Sequence, residues 1–308
     1  MMHKAGQSII VSLMRLIHIT DPHLSSLDGQ SFLKLKGKRR SGYLSWYKNR
    51  RFAHRRDVLD RLTESVHEQN PDLILVTGDL VHIGLEQEMA QAALWLQQLG
   101  TPERVVLVPG NHDHYAKDSL QPMYRHWGEY LPERGNGNQD YTAGFPFQRK
   151  NGRFMLTGVN TSCVTRIFSA AGELGSIQRN KLAQMLNAEG RQDDFNCLLI
   201  HHPPVPGITR PRKALKDAGA LEEIIRQSQP QLVLYGHIHR NREDRLGDTR
   251  MFCTASASSA DGASYRIFDL SQSEAGWQCR EQLMRLDQHS PGTEFTLLSE
   301  SSWVAPVS

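Results

Sequence analysis

The stretch VLVPGNHDHY, residues 106–115, is the part of the sequence that most directly predicts the fold and the site. An apolar run ends at Pro109-Gly110, and Asn111, His112, Asp113 and His114 follow without an apolar residue between them. Such polar groups at the end of a buried strand are costly unless a partner compensates them. The stretch therefore predicts a functional site at a strand end, where other strands should contribute similar residues.

Four further apolar runs end in polar residues of the same kind. They are LIHIT before Asp21-Pro22-His23, LILVT before Gly78-Asp79, CLLI before His201-His202-Pro203-Pro204, and LVLY before Gly236-His237-Ile238-His239. In open α/β sheets the carboxyl ends of the strands line the ligand crevice. We therefore expect these segments to converge on one site, although they are far apart in the chain.

The hydrophobic pattern predicts an α/β fold with largely parallel pairing, because apolar strand-like runs alternate with segments of helical period. The predicted strands are residues 16–20, 73–77, 105–108, 154–159, 197–200 and 232–235. The predicted helices are residues 58–69, 86–99, 177–187 and 220–227. After Met251 the pattern changes to short strands such as 264–270, which predicts a second sheet packed on the first.

The composition is typical of a soluble globular protein, since the 308 residues are 39% hydrophobic and 22% charged. A net charge of +3 gives no global field that would favour nucleic acid. We expect a disordered leader at residues 1–13, one domain at 14–288 that carries a basic aromatic insertion at 34–56, and a loose tail at 289–308.

The cysteines and the hydropathy favour a cytoplasmic protein. Cys163, Cys197, Cys253 and Cys279 are widely spaced, which is typical of reduced buried thiols. No run approaches the ~18 apolar residues that span a bilayer. The segment SIIVSLMRLIHIT is interrupted by Arg15 and has no small-residue cleavage site, so it is interpreted as leader plus first strand.

The converging residues offer imidazoles, carboxylates and one amide, which suit Mn, Fe or Zn better than Mg or Ca. They outnumber the ligands that one tetrahedral ion can use, so two divalent ions are expected, with Asp79 as the best candidate for a bridge. Two metals ~3.5–4 Å apart can clamp a phosphoryl group and generate a hydroxide nucleophile at neutral pH. Each fragment alone is a weak signal, whereas the ordered set is a strong one.

The series D-P-H, G-D, G-N-H-D, H-H-P-P and G-H-I-H resembles the signature of the calcineurin-like metallophosphoesterases, over residues 14–270. The resemblance implies a sandwich of two β-sheets flanked by helices, with a dinuclear metal centre at the sheet edge. It implies that one ion is held by Asp21, His23 and His239, the other by Asn111, His201 and His237, and that Asp79 bridges. His112 would protonate the leaving oxygen or stabilise the transition state, with Asp113 orienting it. His202 and His114 match no fixed ligand role and are expected at the rim.

The substrate is less well determined than the chemistry. The tract HHPPVPG, residues 214–225 and the GHIH block resemble the cyclic-nucleotide phosphodiesterase branch of the family. This resemblance favours a small phosphodiester such as 3′,5′-cAMP.

The insertion at residues 32–56, FLKLKGKRRSGYLSWYKNRRFAHRR, indicates a different partner, because it has ten Lys or Arg between Lys34 and Arg56 and no acid. Cations among interfacial aromatics fit an anionic membrane surface, at ~1 kcal/mol for each cation. The insertion resembles that of membrane-associated relatives, including pyrophosphatases that cleave UDP-diacylglucosamine. The residues predicted to contact membrane or substrate are Arg39, Arg40, Trp46, Tyr47, Arg50 and Arg51.

Other interpretations of the insertion, the activity and the location compete with these. The insertion could be a solvated loop and helix whose aromatics cap the core, in which case no membrane contact follows. A nuclease is disfavoured because the rest of the surface is net acidic. A catalytically silent scaffold is disfavoured because every ligand position of the motif series is filled. Peripheral binding to the inner face of the membrane remains the alternative to a purely cytoplasmic location.

Overall fold

Two six-stranded β-sheets form the centre of the computed structural model, which describes residues 13–24, 26–133, 144–188, 193–273, 276–287 and 294–305. The strands in chain order are β1 (Leu13–Ile19), β2 (Leu73–Val76), β3 (Val105–Leu107), β4 (Phe147–Asn151), β5 (Phe154–Gly158), β6 (Phe195–Leu199), β7 (Leu232–Tyr235), β8 (Arg242–Leu246), β9 (Thr249–Cys253), β10 (Ser264–Ser273), β11 (Gly276–Leu286) and β12 (Phe295–Ala305). One sheet has the spatial order β12-β11-β10-β1-β2-β3, and the other has the order β4-β5-β6-β7-β9-β8.

The described residues include seven α-helices, most of which pack against the sheets. They are α1 (Lys38–Ser45), α2 (Arg51–Ala53), α3 (Arg56–Glu68), α4 (Glu86–Leu99), α5 (Leu120–Trp127), α6 (Gly175–Leu186) and α7 (Ala218–Ser228). The predicted two-sheet α/β sandwich is confirmed, and each predicted strand and helix is present with bounds within three residues of expectation. The expected membership of the second sheet is wrong, because β10, β11 and β12 extend the sheet of β1, β2 and β3, and the second sheet consists of β4 to β9. No helix among the described residues has both the length and the apolar character needed to cross a membrane.

Several elements were not predicted. Helix α5 is short and has Pro122 in its first turn, so its period was too brief to stand out. Strand β8 has the sequence REDRL and is largely exposed at a sheet edge, where an apolar alternation is not required.

The pairing explains why the strand ends meet. Strands β1, β2 and β3 are parallel neighbours, as are β5, β6, β7 and β9. All four residues of β2 and of β7 are buried, as expected for parallel strands that are covered on both faces. Parallel pairing brings the carboxyl ends of these strands to the same edge of the sandwich.

Alternation along β6 and β7 divides the core into two layers. Cys197, Leu199 and Leu234 belong to the main core between the sheets. Leu198 and Val233, which point to the opposite face, belong to a second cluster with residues of α6 and α7. Each strand therefore buries both faces, one against the other sheet and one against helices.

The expected loose tail at residues 289–308 needs correction, because strand β12 lies within it. Strand β12 pairs antiparallel with β11, and Trp277 is opposite Ala305. Most side chains of β12 are exposed, so its Ser-rich sequence has no apolar period to reveal an edge strand. At the other end, β1 begins at Leu13, and the predicted disorder of residues 1–12 lies outside the described residues.

The basic insertion folds onto the loops that carry the motifs. It comprises a 3-10 turn (Phe32–Lys34), helix α1, a π-helical turn (Trp46–Arg50) and helix α2. Trp46 is 2% exposed and packs in a small cluster with Ile83 and Tyr115. The insertion therefore caps part of the core, which is one of the two roles that its sequence left open.

Candidate metal centre

The motif segments that follow β1, β2, β3, β6 and β7 converge where the two sheets meet. Two contacts join residues of different sheets directly. His239 Nε2 lies 3.2 Å from Asp21 Oδ1, and His201 Nε2 lies 3.5 Å from Asp79 Oδ2. The convergence expected from strand polarity is therefore present in the fold.

A first cluster contains Asp21, His23, Asp79 and His239, each of which offers a ligand atom within 4.8 Å of those of the others. The Nε2 atoms of His23 and His239 are 3.3 Å apart. Nitrogen ligands around a tetrahedral zinc ion, at ~2.1 Å from the metal, would be separated by about 3.4 Å. The spacing therefore suits two imidazoles that share one ion.

A second cluster surrounds His201. His201 Nε2 is 3.2 Å from Asn111 Oδ1 and 3.2 Å from His237 Nδ1. Asp79 Oδ2 is 3.5 Å from His201 Nε2 and 3.9 Å from His23 Nε2. A single carboxylate oxygen thus faces both clusters.

Backbone carbonyls determine the tautomers of two candidate ligands. His23 Nδ1 lies 2.9 Å from the Val81 carbonyl oxygen, and His201 Nδ1 lies 2.6 Å from that of Thr77. A carbonyl can only accept, so each Nδ1 carries the proton. Each Nε2 then presents a lone pair to the site, which is the form that a metal requires.

The electrostatics of these clusters fit divalent ions. Burial, followed by the charge of Asp21, raises the pKa of Asp79 to about 8. Burial lowers the pKa of His23 well below its ordinary value, so this ring is neutral. Asp21 and Asp79 are both buried. Buried carboxylates are costly unless cations compensate them, and metal ions would do so.

Five candidate ligands have a left-handed backbone, which non-glycine residues rarely adopt. They are Asp21, His23, Asp79, His237 and His239, with φ values between 39° and 71°. Backbone strain of this kind costs about 1–3 kcal/mol at each residue and is concentrated at functional sites. Here it directs side chains from the strand ends into the site.

Gly110 permits the closest approach between two of the motif loops. A Cβ atom at this position would overlap the Asp79 carboxylate and lie 2.5 Å from the Asp79 backbone nitrogen. Only glycine can therefore precede Asn111 without displacing Asp79.

The role expected for Asp113 needs correction. Its carboxylate accepts hydrogen bonds of 2.8 Å from the backbone amides of Gly110, Asp79 and Leu80. It therefore holds the two loops that carry Asp79 and Asn111 rather than the imidazole of His112. Burial, followed by the charge of Asp79, raises the pKa of Asp113 to about 7.

His112 is held by the carbonyl of His82 and not by Asp113. Its Nδ1 donates to that carbonyl oxygen at 2.5 Å, so Arg50 Nη1, at 3.2 Å from the same nitrogen, is a charged neighbour without a hydrogen bond to it. Its ring packs edge-on against His23, with the centroids 4.9 Å apart. Burial, followed by the charge of Arg50, lowers the pKa of His112 well below its ordinary value.

His202 and His114 were expected at the rim, and both are buried instead. His202 Nδ1 lies 2.7 Å from Thr161 Oγ1, and its Nε2 lies 3.2 Å from the Ala170 carbonyl oxygen. The carbonyl fixes the proton on Nε2, so both ring nitrogens have partners within the protein, although a ligand atom of His202 lies within 4.8 Å of those of His201 and His237.

Two further histidines lie at the site and were not anticipated. The ligand atoms of His54, His23 and His239 lie within 4.8 Å of one another. The ring of His82 stacks on that of His23, with centroids 5.2 Å apart. A signal existed only for His82, because it lies three positions after Asp79 on the same loop. His54 lies among the cations of the insertion, where its sequence neighbours give no hint of a metal site.

The six insertion residues divide into an inner and an outer set. Arg39 donates to the Ile83 and Gly84 carbonyls, Trp46 is buried, and Arg50 reaches His112. The outer set consists of Arg40, Tyr47 and Arg51, and the Arg51 guanidinium lies 3.9 Å from the Tyr47 ring centroid. Three of the six residues predicted to contact membrane or substrate therefore contact other parts of the protein instead of forming its outer surface.

The fold and the site define a class of metal-dependent phosphoric ester hydrolases. The chain belongs to the calcineurin-like phosphoesterase family, whose model matches residues 14–241. The protein is accordingly a hydrolase of phosphoric esters, and the family uses divalent metal ions. The clustered Asp and His side chains could bind such ions.

Similar proteins include phosphodiesterases and phosphatases. A Synechococcus protein named probable cyclic nucleotide phosphodiesterase is 30% identical over 221 residues, which cover 70% of this chain and 74% of the relative. The glycerophosphodiester phosphodiesterase GpdQ of Enterobacter lignolyticus is 25% identical, over 63% of this chain and 58% of the relative. A dimetal phosphatase from Danio rerio shares the fold, with a TM-score of 0.59 at 12% identity, over 96% of this chain and 99% of that structure.

Proposed function

We propose that the protein hydrolyses a phosphodiester or pyrophosphate bond with two divalent ions, Mn, Fe or Zn. The observation that carries this proposal is the position of Asp79. One of its oxygens faces His23 in the first cluster and His201 in the second, at 3.9 and 3.5 Å. A carboxylate shared in this way would offset the repulsion between two adjacent cations.

The ligand roles follow from the two clusters. Asp21, His23 and His239 would hold the first ion, Asn111, His201 and His237 would hold the second, and Asp79 would serve both. When bound, the ions supply a hydroxide nucleophile and a positive field for the phosphoryl oxygens. The protein contributes the fixed imidazole tautomers and the strained backbone that hold these side chains in place.

His112 acts on the leaving oxygen through its Nε2 atom. Its Nδ1 is engaged by the His82 carbonyl, which orients the ring and leaves Nε2 for the substrate. To donate a hydrogen bond or a proton to the oxygen that departs, which is general acid catalysis, Nε2 must first take up a proton, and the negative charge of a bound phosphate would favour that uptake. Asp113 acts only indirectly, by holding the Asn111 and Asp79 loops.

A cyclic nucleotide such as 3′,5′-cAMP is the first substrate candidate. The Synechococcus relative supports it, since it is named for cyclic nucleotides and is similar over most of this chain. Substrate preference varies among the relatives, because the Enterobacter protein is named for glycerophosphodiesters.

A lipid-linked nucleotide such as UDP-diacylglucosamine, cleaved at its pyrophosphate bond on an anionic membrane, is the second candidate. The observation that favours it is an exposed basic and apolar surface on the insertion. Leu33 is 83% exposed, Phe52 is 62% exposed and Tyr47 is 48% exposed, beside exposed Lys34 and Lys36. Apolar side chains among cations suit the interface of an acidic bilayer.

A metal-reconstituted substrate screen tests this function. The protein is stripped with chelator, reloaded with Mn, Fe or Zn, and assayed on bis-p-nitrophenyl phosphate, 3′,5′-cAMP, nucleotide-sugars and UDP-diacylglucosamine. We expect metal-dependent hydrolysis of the first compound and of one natural class. Hydrolysis that persists in chelator, or that is unchanged in His112→Ala, would sink the mechanism.

A further inference from the structure

A cationic cavity of about 270 Å³ lies beside the candidate metal centre, on the side of Asn111 and His112. Two of its cations come from the insertion and two from the segment that follows the H-H-P-P motif. They are Lys38, Arg50, Arg212 and Lys213. The insertion therefore contributes to the substrate cleft as well as to the outer surface.

None of these four cations forms a salt bridge within the parts of the chain that the structure describes. Their neighbour Arg39, in contrast, pairs with Asp118 at 2.7 Å. The four charges therefore have no matched carboxylate, although they lie together in one cleft.

Burial disfavours the charged form of both lysines in the cavity. It lowers the pKa of Lys38 to about 8, although the charge of Asp79 opposes this shift and only a smaller effect of Arg50 adds to it. Burial, followed by the charges of Arg50 and Arg212, lowers the pKa of Lys213. Like charges held together cost free energy unless an anion compensates them.

Protein contacts fix two of the four cations. Lys38 Nζ lies 2.7 Å from Thr165 Oγ1 and 4.2 Å from the centroid of the Tyr115 ring. Arg212 Nη1 lies 3.4 Å from the Phe168 carbonyl oxygen. Preorganised cations bind an anion at a lower entropic cost than freely moving ones.

We propose that this cavity is a subsite for a second phosphate group of the substrate, next to the phosphate that is cleaved. The proposal rests on the proposed function, because the scissile phosphate is assigned to the metal clusters. A diester with one phosphate carries one negative charge and would leave most of the positive charge of the cavity uncompensated. A substrate with a phosphoanhydride carries a second charged phosphate, and guanidinium and ammonium groups bind phosphate oxygens strongly.

The reaction of such a substrate balances without a further reactant. The hydroxide oxygen forms a bond to the scissile phosphorus, and the bond from that phosphorus to the bridging oxygen breaks. Its electron pair stays on the second phosphate, which leaves as a phosphomonoester, and the hydroxide proton passes to solvent. Because a phosphate is a weakly basic leaving group, nearby positive charge stabilises its departure with little need for a proton.

Kinetics on two substrates test the subsite. The ratio of kcat/KM for ADP-ribose to that for bis-p-nitrophenyl phosphate compares a substrate with two phosphates to one with a single phosphate. We expect this ratio to fall about ten-fold or more in Lys38→Ala combined with Lys213→Ala. Lys181→Ala, which removes an exposed cation of α6 outside the cavity, should leave the ratio unchanged. An unchanged ratio in the double variant would overturn the proposal.

Binding to the chelator-treated protein gives a second measurement that needs no catalysis. By calorimetry at low salt, wild type should bind ADP more tightly than AMP, and the double variant should lose this difference. Equal affinities in wild type contradict the subsite. If no metal supports hydrolysis of any substrate, the proposed function fails, and the ADP preference still decides the subsite.

Discussion

The backbone amide of His112 donates a 2.6 Å hydrogen bond to Asp79 Oδ1, which leaves Asp79 Oδ2 facing His23 and His201. The Asp79 carboxylate thus contacts the backbone of His112, the proposed general acid, and faces both proposed ion sites. Any displacement of Asp79 should therefore disturb metal binding and the position of His112 together. The coupling makes Asp79 the most informative residue for substitution.

Asp79→Asn should abolish most of the activity and lower the metal content, because an amide cannot offset the charge of two ions. We expect kcat to fall about 100-fold or more and fewer than two ions per chain by elemental analysis. The exposed Asp248→Asn is the matched control and should retain both ions. Two ions bound to an inactive Asp79→Ala protein would count against the bridge.

His112→Ala should separate catalysis from metal binding, since His112 is not among the proposed ligands. Loss of a general acid typically costs 10²–10⁴-fold in rate, and we expect kcat to fall by roughly this factor. Metal content should stay at the wild-type value. A variant that loses metal as well as activity would instead assign the imidazole to the ligand set.

Gly110→Ala should destabilise the protein, because the added Cβ would meet the carboxylate and the backbone of Asp79. Overpacking of this kind costs about 1–3 kcal/mol in the free energy of unfolding. Gly128→Ala is the matched control: its Cβ has open space and its backbone is helical, with φ −55°. The control should be neutral or stabilising by about 0.4–1 kcal/mol in urea denaturation. Equal stability of the two variants would refute the close approach.

His18 should make stability depend on pH. Its ring lies between the hydroxyls of Thr77 and Thr254, and burial, with a smaller effect of the Arg266 charge, lowers its pKa to about 3. In the unfolded chain the His18 imidazole takes up a proton near pH 6.5, whereas in the folded protein it stays neutral down to about pH 3. The contribution of His18 to the free energy of unfolding is therefore present above pH 6.5 and is lost as pH falls towards 3. Between pH 7 and pH 5 the loss amounts to ~2 kcal/mol.

His18→Gln removes the titration while keeping a side chain that can hydrogen-bond the two threonines. In urea denaturation of chelator-treated proteins, the variant should lose ~2 kcal/mol less than wild type between pH 7 and pH 5. The test compares the change in the free energy of unfolding between the two pH values and not its absolute value, because the substitution also changes packing. The same loss in both proteins would show that His18 titrates normally.

The outer surface of the insertion should bind acidic vesicles in a salt-dependent way. Arg40→Ala combined with Arg51→Ala removes two outer cations and leaves Arg39 and Arg50, which contact the interior. Vesicle binding should fall in the variant, at ~1 kcal/mol for each cation, and should weaken with added salt in wild type. If wild type does not bind such vesicles at low salt, the membrane interpretation fails and the cyclic nucleotide becomes the leading substrate.

Much of the architecture was predictable, because strand and helix periods are local properties of the chain. The parallel strands β2, β3 and β7 are continuous apolar runs that lead into motif residues, and β6 is apolar from Cys197 onwards, so both their positions and their shared edge followed from the sequence. Strand β12 was not predictable in this way. It is an exposed edge strand, and pairing with β11 rather than an apolar face holds it in the sheet.

The sequence by itself determined the chemical inventory of the site: the motif residues, their order and the strand ends from which they project. The tertiary structure alone decided the partners. Asp113 binds backbone amides rather than His112, His54 joins the first cluster, and Lys38 and Arg50 enter the cleft. The physical reason is that these contacts join segments far apart in the chain. Such contacts depend on the packing of the insertion against the strand ends, and no local period or motif encodes that packing.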